Sequence, residues 1–242
     1  MIKIFRYELK RLILNKFFFA LLIITGLYGY KLLTGDIIAG IAYTAPFSAW
    51  SYGAYLAGML PLLLIALLFF MTFMYSNQER KVKQLTFAAP VNRAKYGLIK
   101  CSAMAVACMI ISLFVIVISI VFYALIFRFY SYGDFVIPII ITLLPSLLFT
   151  FGIGLMAGGV QSNILYALMI ALLLFGFLPL PAFIDLYGGN LFYTHPLSLP
   201  VGLDGEPAFT LPVSFVMGKV LFSVTGTLMI FFGIKKYAVK SE

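Results

Sequence analysis

Long apolar runs separated by short polar stretches dominate the chain, and this pattern predicts an all-α protein that crosses a membrane repeatedly. A transmembrane helix needs about 20 predominantly apolar residues, and six runs come near or exceed this length. They are residues 17–33, 50–75, 97–127, 135–160, 164–183 and 212–234. The pattern therefore predicts a single transmembrane domain, residues 1–242, built from six membrane-spanning helices.

The first sixteen residues have a different pattern, with apolar and basic side chains on opposite faces of a helix. The apolar face carries Ile2, Phe5, Leu9, Leu12 and Ile13, and the opposite face carries Lys3, Arg6, Lys10 and Arg11. A helix of this kind lies in the membrane interface instead of crossing it. A signal peptide fits poorly, because the charged lead-in is long and tyrosines follow in the first apolar run. We therefore expect residues 1–16 to be retained as an interfacial helix.

A short basic stretch, residues 76–96, separates the second and third apolar runs. The stretch carries five basic residues, and the start of the next run adds a sixth. They are Arg80, Lys81, Lys83, Arg93, Lys95 and Lys100. Glu79, Val82 and Leu85 recur at helical spacing, and Ala89-Pro90 then stops the helix. A second helix can begin at Asn92. The stretch is thus predicted to form a helical hairpin at the membrane surface.

Charge distribution sets the expected orientation. With both termini inside, 14 of the 17 Lys and Arg residues fall on the inner side, including these six. The outer side then carries Asp36, Asp134, Asp185, Asp204 and Glu206 against Lys31 and Arg128. Lys and Arg collect in cytoplasmic loops. We therefore expect both termini and the hairpin in the cytoplasm.

Composition supports the membrane class and gives the net charge its meaning. The chain is 63% hydrophobic and 10% charged, with a net charge of +9. Nucleic-acid binding needs a folded soluble face to carry a basic patch, and the sequence has no long polar segment for one. Cys101 and Cys108 are seven residues apart in one run, too far apart on a helix to form a disulfide, and are expected in the core.

Few residues offer catalytic chemistry. The chain has one histidine, so a paired-histidine zinc motif is excluded, and no GxxxxGK[ST] phosphate loop occurs. We expect neither an enzyme nor a metal or cofactor site in this chain. Lys219 is the one charge well inside a predicted span; it is either a contact for an anionic substrate group or a lysine that snorkels or pairs with an acid of the outer loop.

The longest predicted outer segment, residues 184–211, is rich in Gly and Pro but too apolar for a flexible linker. It contains the single histidine, His195, which we expect to be a surface or cap residue. We interpret the segment as a partly inserted cap or re-entrant piece packed on protein.

The inner stretch has the form E-R-x(4)-L-x(4)-P-x(2)-R-x(6)-K. The matching residues are Glu79, Arg80, Leu85, Pro90, Arg93 and Lys100. With six spans and a basic amphipathic N-terminal helix, this resembles the permease subunits of ABC-2 type ATP-binding cassette transporters. The chain departs from the usual pattern at Lys81-Val82-Lys83, where Gly-Thr usually follows the acid and base pair.

The resemblance implies a coupling hairpin whose six motif residues contact a separate nucleotide-binding subunit, which would bind ATP and Mg²⁺. It implies a multi-pass protein of the bacterial cell membrane that pairs with an identical or related permease chain and exports a hydrophobic or amphipathic cargo, such as a peptide, drug or lipid. Membrane lipid is the other expected partner.

Two other classes of protein remain open. A non-transporting receptor or immunity protein that binds a ligand at its outer segment would also have six spans, but would not need an elaborated inner hairpin. A secondary transporter would have titratable residues in its spans or matched broken helices in two halves, and the sequence presents neither pattern convincingly.

Overall fold

The computed structural model describes residues 2–76, 79, 81–82, 92–202 and 205–239, with the backbone alone at 93, 94 and 237–239. The secondary structure of these residues is helical, apart from one isolated β-bridge between Val201 and Pro207. Its helices are α1 (Ile2–Ile13), α2 (Lys16–Leu32), α3 (Ala49–Met74), α4 (Arg93–Phe127), α5 (Val136–Val160), α6 (Asn163–Phe175), α7 (Gly189–Thr194) and α8 (Val213–Val239). A five-residue π-helical turn, Leu33–Ile37, extends α2, and short 3₁₀ turns at Gly133–Phe135 and Pro196–Ser198 precede α5 and follow α7.

Five helical stretches in the described ranges are long and apolar enough to cross a membrane. They are Lys16–Ile37, Ala49–Met74, Lys95–Phe127, Gly133–Val160 and Val213–Lys236. These agree with five of the six predicted spans, and they make the chain a multi-pass membrane protein.

The predicted fifth span, 164–183, is not one continuous helix. Helix α6 has 13 residues, or about 20 Å at the usual helical rise. It ends before Gly176, and Pro179 and Pro181 follow in irregular chain. Proline lacks an amide donor and clashes with the preceding turn, so the helix does not resume there.

Helix α3 is the centre of the bundle. Of its most apolar window, 67% is buried, against 22% for the corresponding windows of α2 and α8. A helix that is apolar all round is expected inside a bundle, and Trp50, Tyr52 and Leu56 are among its fully enclosed side chains.

Helices α5 and α8 lie side by side and run in the same direction. Phe149 contacts Phe222, with ring centroids 4.8 Å apart, and Gly152 faces Gly226 one turn further along both helices. A Cβ atom at Gly152 would lie 2.5 Å from the Gly226 carbonyl oxygen, so glycine is required for this approach. Because α5 and α8 are parallel, α6 and residues 176–212 must carry the chain back along the bundle between them.

Helix α1 packs its apolar face on the rest of the chain. Leu12 is buried, and Ile4, Phe5, Leu9 and Ile13 pack against the core. Ile2, predicted on this face, is 84% exposed. The free face of α1 carries Lys3, Arg6 and Lys10.

Candidate functional site

Four charged side chains from three separate segments meet where α1, the start of the inner loop and α4 converge. They are Glu8 and Arg11 of α1, Glu79 of the loop and Lys100 of α4. We call them the inner charge cluster, after the side of the membrane on which the sequence predicts this loop.

Each acid of this cluster is paired with both bases. Arg11 Nη2 lies 3.1 Å from Glu8 Oε2 and 3.1 Å from Glu79 Oε2. Lys100 Nζ lies 3.7 Å from Glu8 Oε1 and pairs directly with Glu79 Oε1. Two negative and two positive charges therefore form a closed, formally neutral set.

Burial makes these pairs stronger than surface ion pairs. Glu79, Lys100 and Glu8 are 4%, 3% and 5% exposed, while the Arg11 side chain reaches partly into solvent. Charges that are shielded from water interact more strongly but lose more on desolvation, so a buried set is stable only when it is fully paired.

Local sequence places the four side chains. Glu8 and Arg11 are three residues apart and share one face of α1. The backbone amide of Glu79 donates to Ser76 Oγ at 3.3 Å, which fixes the loop as it leaves α3. Lys100 lies two turns into α4, and its ammonium also sits 4.9 Å from the centre of the Tyr96 ring.

Apolar side chains enclose the cluster and leave a small cavity of about 10 Å³ beside it. The apolar lining consists of Leu12, Phe70, Phe73, Met74 and Met104. Because α1, the loop and α4 share these ion pairs, movement of one segment away from the others would separate buried charges.

A second contact ties the start of the loop to α5. The Tyr75 hydroxyl donates to the Leu155 carbonyl at 3.0 Å, and the Tyr75 ring covers Gly158, where a Cβ atom would overlap it. Gly154 is likewise covered by Met71 and Leu68 of α3. The Gly154–Gly158 pair thus serves contacts between α5 and the end of α3.

Only part of the predicted coupling motif can be located. Glu79 and Lys100 are brought together in the cluster. Arg93 begins α4, where the Asn92 side chain accepts from the Lys95 amide at 3.1 Å. Arg80, Leu85 and Pro90 lie outside the described residues, as does the Arg93 side chain. The contact of these six residues with an ATPase subunit stays a prediction.

Sequence reasoning missed Glu8 and Arg11 as members of a site. The available signal was Glu8 itself, since an acid between Phe5, Leu9 and Leu12 falls on the apolar face of the helix. The partners of that acid are far away along the chain and are set by the fold.

A further buried cation, Lys219, lies on α8 beneath the predicted outer segment. It is 2% exposed, and Nζ donates to the Leu186 carbonyl at 2.7 Å. Ser146 of α5 donates to the same carbonyl at 2.6 Å. Buried Asp185 also attracts the ammonium electrostatically. We call these four residues the outer lysine site, after the segment that the sequence predicts on the outer side.

Asp185 has a second role within the outer segment. Its Oδ1 accepts from the amides of Tyr187 at 3.0 Å and Gly188 at 2.7 Å, where the chain turns into α7. The Tyr187 hydroxyl returns to α6 by donating to the Leu172 carbonyl at 2.6 Å. The predicted substrate contact of Lys219 stays a prediction, and its observed partners belong to this chain.

His195 is half-buried and follows α7, with its ring centroid 5.8 Å from that of Trp50. In the described part of the chain, no three His, Cys, Asp or Glu side chains lie close enough to share a metal ion. Comparison with protein-family models, with curated proteins and with solved structures finds no match for this chain.

Proposed function

We propose that this chain is the membrane-spanning permease subunit of an ABC-2 type ATP-binding cassette transporter. A separate nucleotide-binding subunit would bind and hydrolyse ATP with Mg²⁺, and the exported cargo would be hydrophobic or amphipathic. The observation that carries the proposal is the inner charge cluster, because its ion pairs join the loop after α3 to both α1 and α4.

Force transmission is the role that suits the cluster. A push on the loop by a closing ATPase subunit would be passed through Glu79 to Lys100 on α4 and to Arg11 on α1. Glu79 and Lys100 are buried among partners of their own chain, so in this proposal they hold the base of the hairpin. The contact with the ATPase falls to the other motif residues, Arg80, Leu85, Pro90 and Arg93.

The proposed topology has six crossings with both termini in the cytoplasm. The parallel run of α5 and α8 supports it, because the chain between them must return across the bundle. Helix α6 with residues 176–212 would make this fifth crossing. The basic free face of α1 would then lie at the inner surface, where anionic lipid headgroups attract Lys and Arg.

The test is co-purification, in mild detergent, with a P-loop ATPase encoded beside this gene. Wild-type chain is compared with Arg93→Glu and with Lys236→Glu, which makes the same charge change at an exposed position on the proposed inner side. We expect the ATPase to bind wild type and Lys236→Glu and to be lost from Arg93→Glu, while all three chains elute as folded protein.

Absence of ATPase binding to wild type, whether without nucleotide, with ADP or with ATP, would remove the proposed motor. The outer segment around His195 would then be the surface to examine, as a ligand-binding face of a receptor or immunity protein.

A further inference from the structure

Helix α1 packs on the bundle with the face that an interfacial helix usually gives to lipid. Leu12 is buried, and Phe5 and Leu9 pack against the core. An isolated interfacial helix inserts its apolar face at the boundary of headgroups and acyl chains, but here the bundle covers that face. Contact between α1 and the membrane is therefore left to the opposite, basic face.

Two connections hold α1 at the surface of the membrane. Helix α1 ends at Ile13, and α2 follows at Lys16, which begins a membrane-spanning stretch. Glu8, at the middle of α1, pairs with Lys100, which belongs to the membrane-spanning stretch Lys95–Phe127. Both the middle and the end of α1 therefore lie close to the ends of spans, within reach of lipid headgroups.

Three exposed bases lie side by side on the free face of α1. Lys3, Arg6 and Lys10 are three or four residues apart, which makes them neighbours on a helix surface. In the described part of the chain, none of them forms an ion pair, and the nearby acids Glu8 and Glu79 are already paired in the inner charge cluster. A surface with neighbouring positive charges of this kind attracts anions.

Exposed apolar side chains accompany these bases. Tyr7 and Leu14 are 65% and 61% exposed, and each follows a lysine of the free face by four residues, so it lies next to that lysine. Phe17, at the start of α2, is 54% exposed. The acidic face of a soluble protein matches the charges alone, whereas the interface of a bilayer offers phosphates and acyl chains side by side.

We infer that the free face of α1 is a binding site for phospholipid headgroups with a net negative charge, held through Lys3, Arg6 and Lys10. A headgroup bound there holds α1 in place, and with α1 it holds Glu8 and Arg11 of the inner charge cluster. Anionic lipid is then a ligand that stabilises the folded chain. The inference extends the proposed placement of α1, and it needs neither an ATPase nor a cargo.

Thermal melting of the full chain in detergent, titrated with a short-chain lipid, tests the inference. Phosphatidylglycerol is compared with phosphatidylcholine of the same acyl chains, on wild type and on the triple variant Lys3→Gln, Arg6→Gln, Lys10→Gln. We expect phosphatidylglycerol to raise the melting temperature of wild type at a lower concentration than phosphatidylcholine does. Each base near an anionic lipid surface strengthens attachment about fivefold, so the triple variant should need at least about ten times more phosphatidylglycerol for the same rise.

The matched control loses three positive charges elsewhere. Lys95→Gln, Lys235→Gln and Lys236→Gln together remove exposed bases from α4 and α8 on the proposed inner side. This variant should keep the lipid response of wild type. Unchanged gel-filtration profiles show that both triple variants fold.

Equal weakening in the two triple variants would overturn the inference, because net charge alone would then set the response. So would an equal response of wild type to the two lipids, or a rise of the same size with inorganic phosphate. If the α1 variant kept its lipid response but lost the ATPase in co-purification, the face would belong to a protein partner instead. Because melting is read without an ATPase, failure of the inference is distinct from failure of the proposed function.

Discussion

Two lysines are buried at opposite ends of the bundle, and their surroundings differ in kind. Lys100 is 3% exposed and faces two carboxylates brought from α1 and the inner loop. Lys219 is 2% exposed and donates to a backbone carbonyl that Ser146 also reaches. The first lysine belongs to a set in which each charge needs the others. The second is an additional donor to a group that already has one.

Removal of the Lys100 charge is expected to have the largest effect. Lys100→Met leaves Glu8 and Glu79 buried with Arg11 as their remaining base, and an uncompensated buried charge costs about 3–5 kcal/mol. Thermal denaturation in detergent should show a clear fall in melting temperature. The control is Lys95→Met on the exposed side of the same helix, which should change stability little. A Lys100→Met variant as stable as this control would mean that the cluster does not act as a unit.

Removal of the Glu79 charge together with the Lys100 charge should restore part of the stability that Lys100→Met loses. In Lys100→Met with Glu79→Gln, one base and one acid remain, so the cluster is neutral again. We expect about 1–3 kcal/mol to be recovered relative to Lys100→Met, because residues in one charge network are coupled. The same melting measurement on both single variants and the double variant gives this coupling. A double variant whose loss of stability equals the sum of the two single losses would contradict this coupling.

Truncation of Asp185 should have an intermediate effect. Asp185→Ala leaves the Tyr187 and Gly188 amides without their acceptor and takes a counter-charge from Lys219, and a buried orphaned donor costs about 1–3 kcal/mol. Asp185→Asn keeps a carbonyl oxygen and should lose less. Limited proteolysis of residues 176–212, with exposed Asp36→Ala as control, should show faster cleavage in Asp185→Ala only. If Asp185→Ala and Asp36→Ala were cleaved at the same rate, Asp185 would not hold the outer segment in place.

Sequence patterns revealed the helices of this fold better than the contacts between them. Apolar length alone predicts five of the observed spans, whereas α6 stops at Phe175, inside the predicted span 164–183. The depth at which α6 stops was not predictable, because it depends on the contact of Gly176 with Pro61 more than one hundred residues earlier. The parallel packing of α5 against α8 at Gly152 and Gly226 likewise depends on tertiary contacts, which the sequence pattern does not predict.

The candidate site was predictable to a similar extent. The family motif includes Glu79 and Lys100, but it predicts neither their mutual pairing nor their link to α1. A separation of 68 positions between Arg11 and Glu79 leaves no local signal. For Lys219, the principal partner is a backbone carbonyl, a group that every residue has and that no pattern of side chains can single out.

Removal of the Lys219 charge is expected to have the smallest effect, and it is the sharpest contrast with Lys100. In Lys219→Met the Leu186 carbonyl keeps its hydrogen bond from Ser146, and Asp185 keeps two backbone amides, so the loss should stay below about 1 kcal/mol. Adding Ser146→Ala removes the last donor and should raise the loss to about 1–3 kcal/mol. Melting temperatures of Lys219→Met, Ser146→Ala and the double variant test both expected losses. A loss in Lys219→Met alone as large as that in Lys100→Met would show that Lys219 and Asp185 form a dependent charge pair, and the two ends of the bundle would then be stabilised in the same way.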